Sequence, residues 1–337
     1  MRAYVAPTGC TQVDELRIVQ LTDPEPGPGQ VVVRIRAASI NYRDQAVVAG
    51  RYLGGSVSRD TIPLSDGAGE IEAVGAGVTQ FKPADRVAAT FFQAPPNGSP
   101  FGSPASLGWP LDGVMAERVL LYEDGVVPIP VQLSFEEAAC LPCAGVTAWN
   151  ALVRAGKPIV AGDTVLVLGT GGVSILALQF AKAAGARVIA TSSSDAKLER
   201  VKELGAEAVI NYTRTPAWEG EVLKLTGGRG VDCVVEVGGL GTLNRSMQCV
   251  GSGGKVVLMG VLTGMTGDVN PYILIGKNAS LHGIFVGDRA MFLEMNDAIA
   301  AGGIKPLVDR VFPFEELVVA LRYQAAGQFI GKVVVRV

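Results

Sequence analysis

Charge is scarce in this chain. Only 18% of its 337 residues are Asp, Glu, Lys or Arg, against about a quarter in an ordinary globular protein. The formal net charge is −3, which argues against a general nucleic-acid binder, since that needs a basic face. Apolar residues make up 48%, which excludes a disordered chain and supplies two domain cores. Cysteine is also rare. Five cysteines cannot build a disulfide framework, and an odd count leaves one unpaired. Cys140 and Cys143 form a CxxC in AACLPCAG, but a redox pair of the thioredoxin type needs a strand before it and an opening helix. Here Ser134 and Glu137 spell a capping box, so a helix already precedes the cysteines. They read as small buried residues.

A long uninterrupted apolar run is missing as well. Thr164 to Ala181 is uncharged, near the lower limit for a membrane-spanning helix. Gly169, Gly171 and Gly172 break its centre, so a strand, a turn and a helix fit better than a span. The start, MRAYVAPTGCTQVDELR, lacks an apolar core of signal-peptide length. The expectation is a cytoplasmic protein with no membrane or nucleic-acid partner.

What is present changes character along the chain. Up to about Pro128 the pattern is short alternating runs: VVVRIRAA (31–38), EIEAVGAGV (70–78), DRVAAT (85–90) and MAERVLLY (115–122). PEPGPGQ (24–30) and the segment 94–110 are loops by composition. After Leu133, helix-length segments alternate with strands at TVLVLG (164–169), RVIAT (187–191), AVIN (208–211), VDCVVEV (231–237), KVVLMG (255–260) and SLHGIFV (280–286). Six strands with helical crossovers predict an α/β protein whose second part is a doubly wound parallel sheet. The tail ends in the strand KVVVRV (332–337).

The turn after the first of these strands carries the chemistry. Gly169, Gly171 and Ser174 occupy the three positions of a GxGxxG fingerprint, between a strand and a helix. Gly169 allows the tight turn, and Gly171 lets the backbone approach a pyrophosphate. The small Ser174 lets the helix pack on the strand, and Thr170, Gly172 and Val173 complete the loop. A pyrophosphate would rest on the helix N-terminus. An NAD site places an acid about 20 residues further on, gripping a ribose hydroxyl. This chain has Thr191, Ser192 and Ser193 there, with Lys197 one turn into the next helix and Tyr212 closing the third strand. Hydroxyls and a lysine hold a 2′-phosphate that an acid would repel. The expected cofactor is NADP(H). EVGGLG (236–241) reads as a turn near that cofactor.

Several stretches in order resemble the medium-chain dehydrogenase/reductase superfamily, and within it the zinc-independent quinone oxidoreductase-like branch. They are ASINYRD (38–44), PLSDGAGEIEAVGAGVTQFKPADRV (63–87), LPCAGVTAW (141–149), LGTGGVS (168–174), SSSDAKLERVKELGA (192–206) and FIGKVVV (329–335). The resemblance implies a GroES-like β-rich catalytic domain over 1–126 and 286–337, a Rossmann domain over 127–285, and an active site in the cleft. It also implies nicotinamide contacts from Thr147 and from the backbone near Gly260 and Phe285, with Lys332 reaching the same pocket. The sixth strand would pair across a two-fold axis into a homodimer or a tetramer.

The zinc-dependent branch has a cysteine at the place of Asn41, a His-Glu pair at Ser65 and Asp66, and a cysteine at Cys143. Only Cys143 is retained, and the single histidine, His282, lies in the sixth strand. Catalytic zinc takes about three protein ligands, so no metal is expected. A metal-free site suits acceptors that delocalise the negative charge left by hydride arrival. The expected reaction is therefore reduction of quinones or α,β-unsaturated carbonyls by NADPH. Asn41 and Tyr52 are the candidate donors to the acceptor oxygen, and Asp44 caps or orients locally. Related quinone reductases often carry a tyrosine in the helix after Asn41, where this chain has Ala46, Val47 and Val48. Phe92 and Trp109 are candidate cleft aromatics or core residues. Two alternatives stay open: a zinc-independent NADP-dependent alcohol or carbonyl dehydrogenase, and an NADPH-binding sensor or structural protein with little turnover.

Overall fold

The computed structural model describes residues 1–52, 55–93 and 106–337. Most of the segment 94–110 read as a loop lies outside the described residues. The chain forms two compact units, Met1–Val146 with Asp288–Val337, and Thr147–Gly287. Residues 127–146 cluster with the first of them.

The first unit begins with an antiparallel pair, β1 (Arg2–Val5) and β2 (Arg17–Gln20). It continues through β3 (Gln30–Ile40), β4 (Asp66–Val74), β5 (Arg86–Ala89), β6 (Arg118–Tyr122) and β7 (Val126–Pro128). β3 is buried along most of its length because Val31, Val33 and Ile35 feed the core while β4, β6 and a later strand cover its edges. Gly69 sits where β3 and β4 shift register. A Cβ there would lie 2.0 Å from the Arg34 carbonyl oxygen, so only glycine fits.

The second unit holds β8 (Thr164–Leu168), β9 (Arg187–Ser192), β10 (Ala208–Asn211), β11 (Val231–Glu236), β12 (Val250–Leu258) and β13 (Ser280–Gly283). All pairings are parallel, in the order β10-β9-β8-β11-β12-β13. Every residue of β8 is buried, as expected for a central parallel strand covered on both faces. The chain steps outward from β8 to β10, then returns to β11 on the other side. That reversal is the topological switch point, and in such sheets the ligand crevice lies at the carboxyl ends of the strands beside it.

Several strands differ from their expected limits, and β4 runs from Asp66 to Val74 instead of over 70–78. β12 starts five residues early, at Val250. β13 ends at Gly283 instead of running to Val286. Val286 has a φ of +56°, which no strand accommodates and which strains a β-branched residue. Its carbonyl is held by the Asn150 side-chain amide at 2.7 Å.

The chain then rejoins the first unit through β14 (Val308–Pro313) and β15 (Lys332–Arg336). The resulting order is β14-β15-β3-β4-β5-β7, with β6 also on β3. β15 pairs antiparallel with β3, Val333 opposite Ile40. The fold is thus a GroES-like β unit plus a six-stranded parallel Rossmann sheet. Among the described residues no helix is long and apolar enough to cross a membrane.

Candidate active site

In the second unit, Gly169 leaves β8 with a φ of +74°, a turn that a side chain would strain. Its N–H donates to the Thr191 hydroxyl at 3.4 Å. The Ser174 hydroxyl donates to the Leu168 carbonyl at 2.7 Å. The third position of the fingerprint therefore ties helix to strand, and serine is accepted there because its polar atom has a partner. Gly171 is the N-cap of the helix Gly172–Ala183 and offers no side-chain cap. A Cβ built on Gly171 would meet nothing within 4 Å. Thr170, Gly172 and Val173 complete this turn, and it fits a phosphate as a cradle of backbone donors and open space.

The ends of β9 and β10 bring Ser192, Ser193, Lys197 and Tyr212 onto neighbouring segments. Ser192 closes β9, and its hydroxyl accepts from the Ser194 N–H at 3.2 Å. Ser194 caps the helix Asp195–Glu203 by accepting from the Lys197 N–H. The Tyr212 N–H donates to the Ser192 carbonyl at 3.1 Å, and its ring is exposed. Asp195 stands in the first turn of that helix. Its carboxylate accepts from the Asn211 amide at 2.8 Å and is paired with the Arg214 guanidinium. Sequence reasoning missed Arg214. Its signal was modest: a cation two residues after Tyr212 in a loop that the parallel sheet must place beside Asp195.

At the end of β11, the fully buried Glu236 carboxylate accepts from the Gly238 and Gly239 N–H groups and from the Thr242 and Ser246 hydroxyls. It thereby fixes the second glycine turn. Gly260 is packed against backbone: a Cβ there would lie 2.1 Å from the Val237 carbonyl oxygen. Thr147 opens this unit and is buried, whereas Phe285 lies past the end of β13 and is half-exposed. His282 is in β13, with the Ser280 hydroxyl 2.8 Å from its Nε2.

In the first unit the sequence candidates Asn41, Asp44 and Lys332 meet in one buried cluster, joined by Ser65, Asp66 and Arg43. The Lys332 ammonium donates to the Ile40 carbonyl at 2.7 Å and to Asn41 Oδ1 at 2.5 Å. Asn41 Nδ2 faces the Ser65 hydroxyl at 3.4 Å. Ser65 in turn donates to Asp66 Oδ1 at 2.6 Å, while Asp66 Oδ2 accepts from the Cys143 N–H at 2.9 Å. Asp44 sits in the first turn of the helix Tyr42–Val48 and accepts from the Asn41 N–H at 2.7 Å. Burial pushes its carboxyl up to about 6, against the opposing pull of Arg43 and the Asn41 N–H. Burial raises the Asp66 carboxyl too, although Lys332 and its hydrogen bonds oppose it.

Arg43 is held between the rings of Tyr52 and Phe91, 4.9 and 4.8 Å from their centroids. It donates to the carbonyls of Leu107 and Trp109. The Tyr52 hydroxyl is buried and has no hydrogen-bond partner among the described residues. Burial pushes the Cys140 thiol up to about 12 and raises that of Cys143 as well, the condition of inert structural thiols. Among the described residues no group of three His, Cys, Asp or Glu side chains converges as metal ligands do.

Residues 27–131 match the alcohol dehydrogenase GroES-like domain and residues 172–301 the zinc-binding dehydrogenase family. A zinc-type alcohol dehydrogenase-like protein of Schizosaccharomyces pombe is 43% identical over 99% of this chain and 99% of its own length. The chain belongs to the medium-chain dehydrogenase/reductase superfamily. It is an oxidoreductase of that superfamily, and its relatives differ in their named reactions. A quinone oxidoreductase of Pseudomonas aeruginosa is 34% identical, over 82% of this chain and 78% of that one. A 2-methylene-furan-3-one reductase of Solanum lycopersicum is 32% identical, over 93% and 73%. Among solved structures, an NAD-dependent alcohol dehydrogenase superposes with a TM-score of 0.91 at 34% identity, covering both chains fully. A mycobacterial protein solved with NADPH superposes with a TM-score of 0.82 at 28% identity, again over 100% of each.

Proposed function

We propose that this protein is an NADPH-dependent reductase of quinones or α,β-unsaturated carbonyls and works without a catalytic metal. The observation that carries this reading is the Lys332 ammonium buried against Asn41. The residues at the family's catalytic zinc position do not fit a zinc ion. Asn41 Oδ1 already holds a cation, and both Asp66 oxygens are engaged by Ser65 and the Cys143 backbone. A dication here would also face an ammonium across a poorly screening interior.

The cofactor reading rests on the open space at Gly171 and the hydroxyl-rich end of β9. When bound, NADPH supplies a hydride, which carries two electrons to the acceptor, and solvent supplies the balancing proton. The chain's own residues then have separate tasks. The backbone N–H groups opening the helix Gly172–Ala183 hold the pyrophosphate. Ser192, Ser193, Lys197 and Arg214 take the 2′-phosphate, Arg214 also balancing the charge of Asp195. Asn41 and Tyr52 donate to the acceptor oxygen as negative charge collects there.

The test is NADPH consumption with 1,4-naphthoquinone, an enone and a simple aldehyde side by side, on protein whose metal content has been measured. Turnover of the quinone or enone, unaffected by chelator, is the expected result. Turnover confined to the aldehyde would favour the alcohol or carbonyl dehydrogenase reading suggested by the name of the Schizosaccharomyces pombe relative. Cofactor binding with no turnover of any acceptor would favour the sensor. Homodimer formation through β13 belongs to the same proposal. It is supported by exposed Leu281 on that strand and exposed Tyr272 and Ile275 on the helix Tyr272–Lys277. Gel filtration giving a monomer would remove it.

A further inference from the structure

The mechanism so far gives Lys332 no task, yet its placement is costly. The residue opens β15, is 3% exposed, and lies among Arg43, Asp44 and Asp66, all nine-tenths or more buried. Two cations and two carboxylates balance one another, but such buried charge sets add little to stability compared with an apolar core. What the ammonium does to its neighbour is more specific. An ammonium only donates hydrogen bonds, so it can bond only to the oxygen end of a side-chain amide. With Oδ1 held at 2.5 Å by Nζ, the Asn41 amide is fixed in one of its two flip states and Nδ2 is turned away from Lys332. Its described contacts there are the Ser65 hydroxyl, long at 3.4 Å, and the Asp66 carboxylate. The Ile40 carbonyl, also bound to Nζ, anchors the ammonium to β3 immediately before Asn41.

We infer that Lys332 is the positioning residue of Asn41: it holds the amide by its oxygen and polarises it, so that the Nδ2 hydrogens become a stronger donor to the oxygen on which negative charge collects. This rests on the reading of Asn41 as a donor to the acceptor. The physical basis is cooperativity, since an amide that accepts a charge-assisted hydrogen bond donates a stronger one. Lys332 thus contributes positive charge to the reaction without touching the substrate. It also gives the residue a different task from a direct contact with the nicotinamide.

The experiment compares Lys332→Met and Lys332→Gln, each alone and combined with Asn41→Ala, in the full-length protein. The acceptors are a series of quinones and enones whose reduced oxyanions differ in basicity. Lys332→Met is expected to lower kcat by roughly tenfold or more, short of the loss that follows removal of an oxyanion donor itself. The loss deepens as the product oxyanion becomes more basic, and the KM for NADPH stays within about twofold of the parent, because only a step in which charge develops is affected. Lys332→Gln, which can pin the amide without charge, falls between. In the Asn41→Ala background Lys332→Met adds little. Equal losses in both backgrounds, a loss uniform across acceptors, or a rise confined to the KM for NADPH each overturn the inference. If Asn41→Ala keeps full kcat, the underlying reading of Asn41 falls. If Asn41→Ala is impaired and Lys332→Met is not, only the role of Lys332 falls. Should Lys332→Met fail to fold, the same comparison is made between Asp66→Asn and the charge-balanced Asp66→Asn/Lys332→Met.

Discussion

Replacing Gly171 by alanine separates cofactor binding from folding. The residue has φ −76° and ψ −179°, extended backbone that alanine adopts without strain. Its Cβ would enter open space, so the folded chain loses only the difference between glycine and alanine at an N-cap, about 1 kcal/mol or less. The same methyl projects into the space assigned to the pyrophosphate. Displacing the ligand from a single backbone N–H forfeits one charge-assisted hydrogen bond, about 1.5–3 kcal/mol. That is a loss of roughly 10- to 140-fold in affinity. Calorimetric titration with NADPH and NADH, beside a thermal melt, reads both quantities. Gly260→Ala is the contrast, because its methyl would lie 2.1 Å from a carbonyl oxygen and should lower the melting temperature and the binding together. A folded Gly171→Ala protein that binds either dinucleotide with parental affinity would refute the placement of the pyrophosphate.

Ser192→Asp places a carboxylate at the end of β9 and should weaken NADPH while sparing NADH. An unchanged ratio of the two affinities would rule out the 2′-phosphate pocket. Arg214→Ala should move the same ratio in the same direction by less, since the guanidinium is 68% exposed and screened, and it leaves Asp195 uncompensated. Asp44→Asn probes the buried carboxyl through stability. Its folded-state value, raised from 3.8 to about 6, means that the native state holds this proton more tightly than the unfolded chain. The stabilisation is complete below about pH 4 and is lost as the pH rises through 6, by roughly 3 kcal/mol. The amide keeps an acceptor for the Asn41 N–H without titrating. Denaturant curves should therefore show Asp44→Asn gaining on the parent between pH 4 and pH 7, and a constant gap would contradict this.

The parts of the fold that the sequence announced are those governed by local patterning. β8 is almost wholly apolar because both faces of a central parallel strand are covered, and the glycines behind it mark the tight turn that opens the helix Gly172–Ala183. The return of β15 to β3 was not readable from spacing, and family resemblance supplied it. The limits of β13 were missed because they depend on the left-handed Val286, whose strained backbone is held by Asn150 from a different segment. Nothing in a window around either residue signals that contact.

The buried cluster shows the same boundary more sharply. Asn41, Asp44 and Lys332 were each singled out by motif, and Ser65, Asp66 and Cys143 by comparison with the zinc-dependent branch, yet the pairing of Lys332 with Asn41 was not, because it spans 291 positions. A lysine at the start of a strand ordinarily turns its ammonium to solvent. It turns inward here because β15 is covered by β14 on one edge and β3 on the other, and because Ile40 and Asn41 present oxygens at the point where the side chain ends. Asp66, held on both oxygens, supplies nearby negative charge that an apolar pocket would lack. Each of these conditions comes from a different segment, so the cation exists as a functional group only once the two ends of the chain are paired. Substitutions that loosen β15 from β3 should for that reason impair turnover before they impair cofactor affinity.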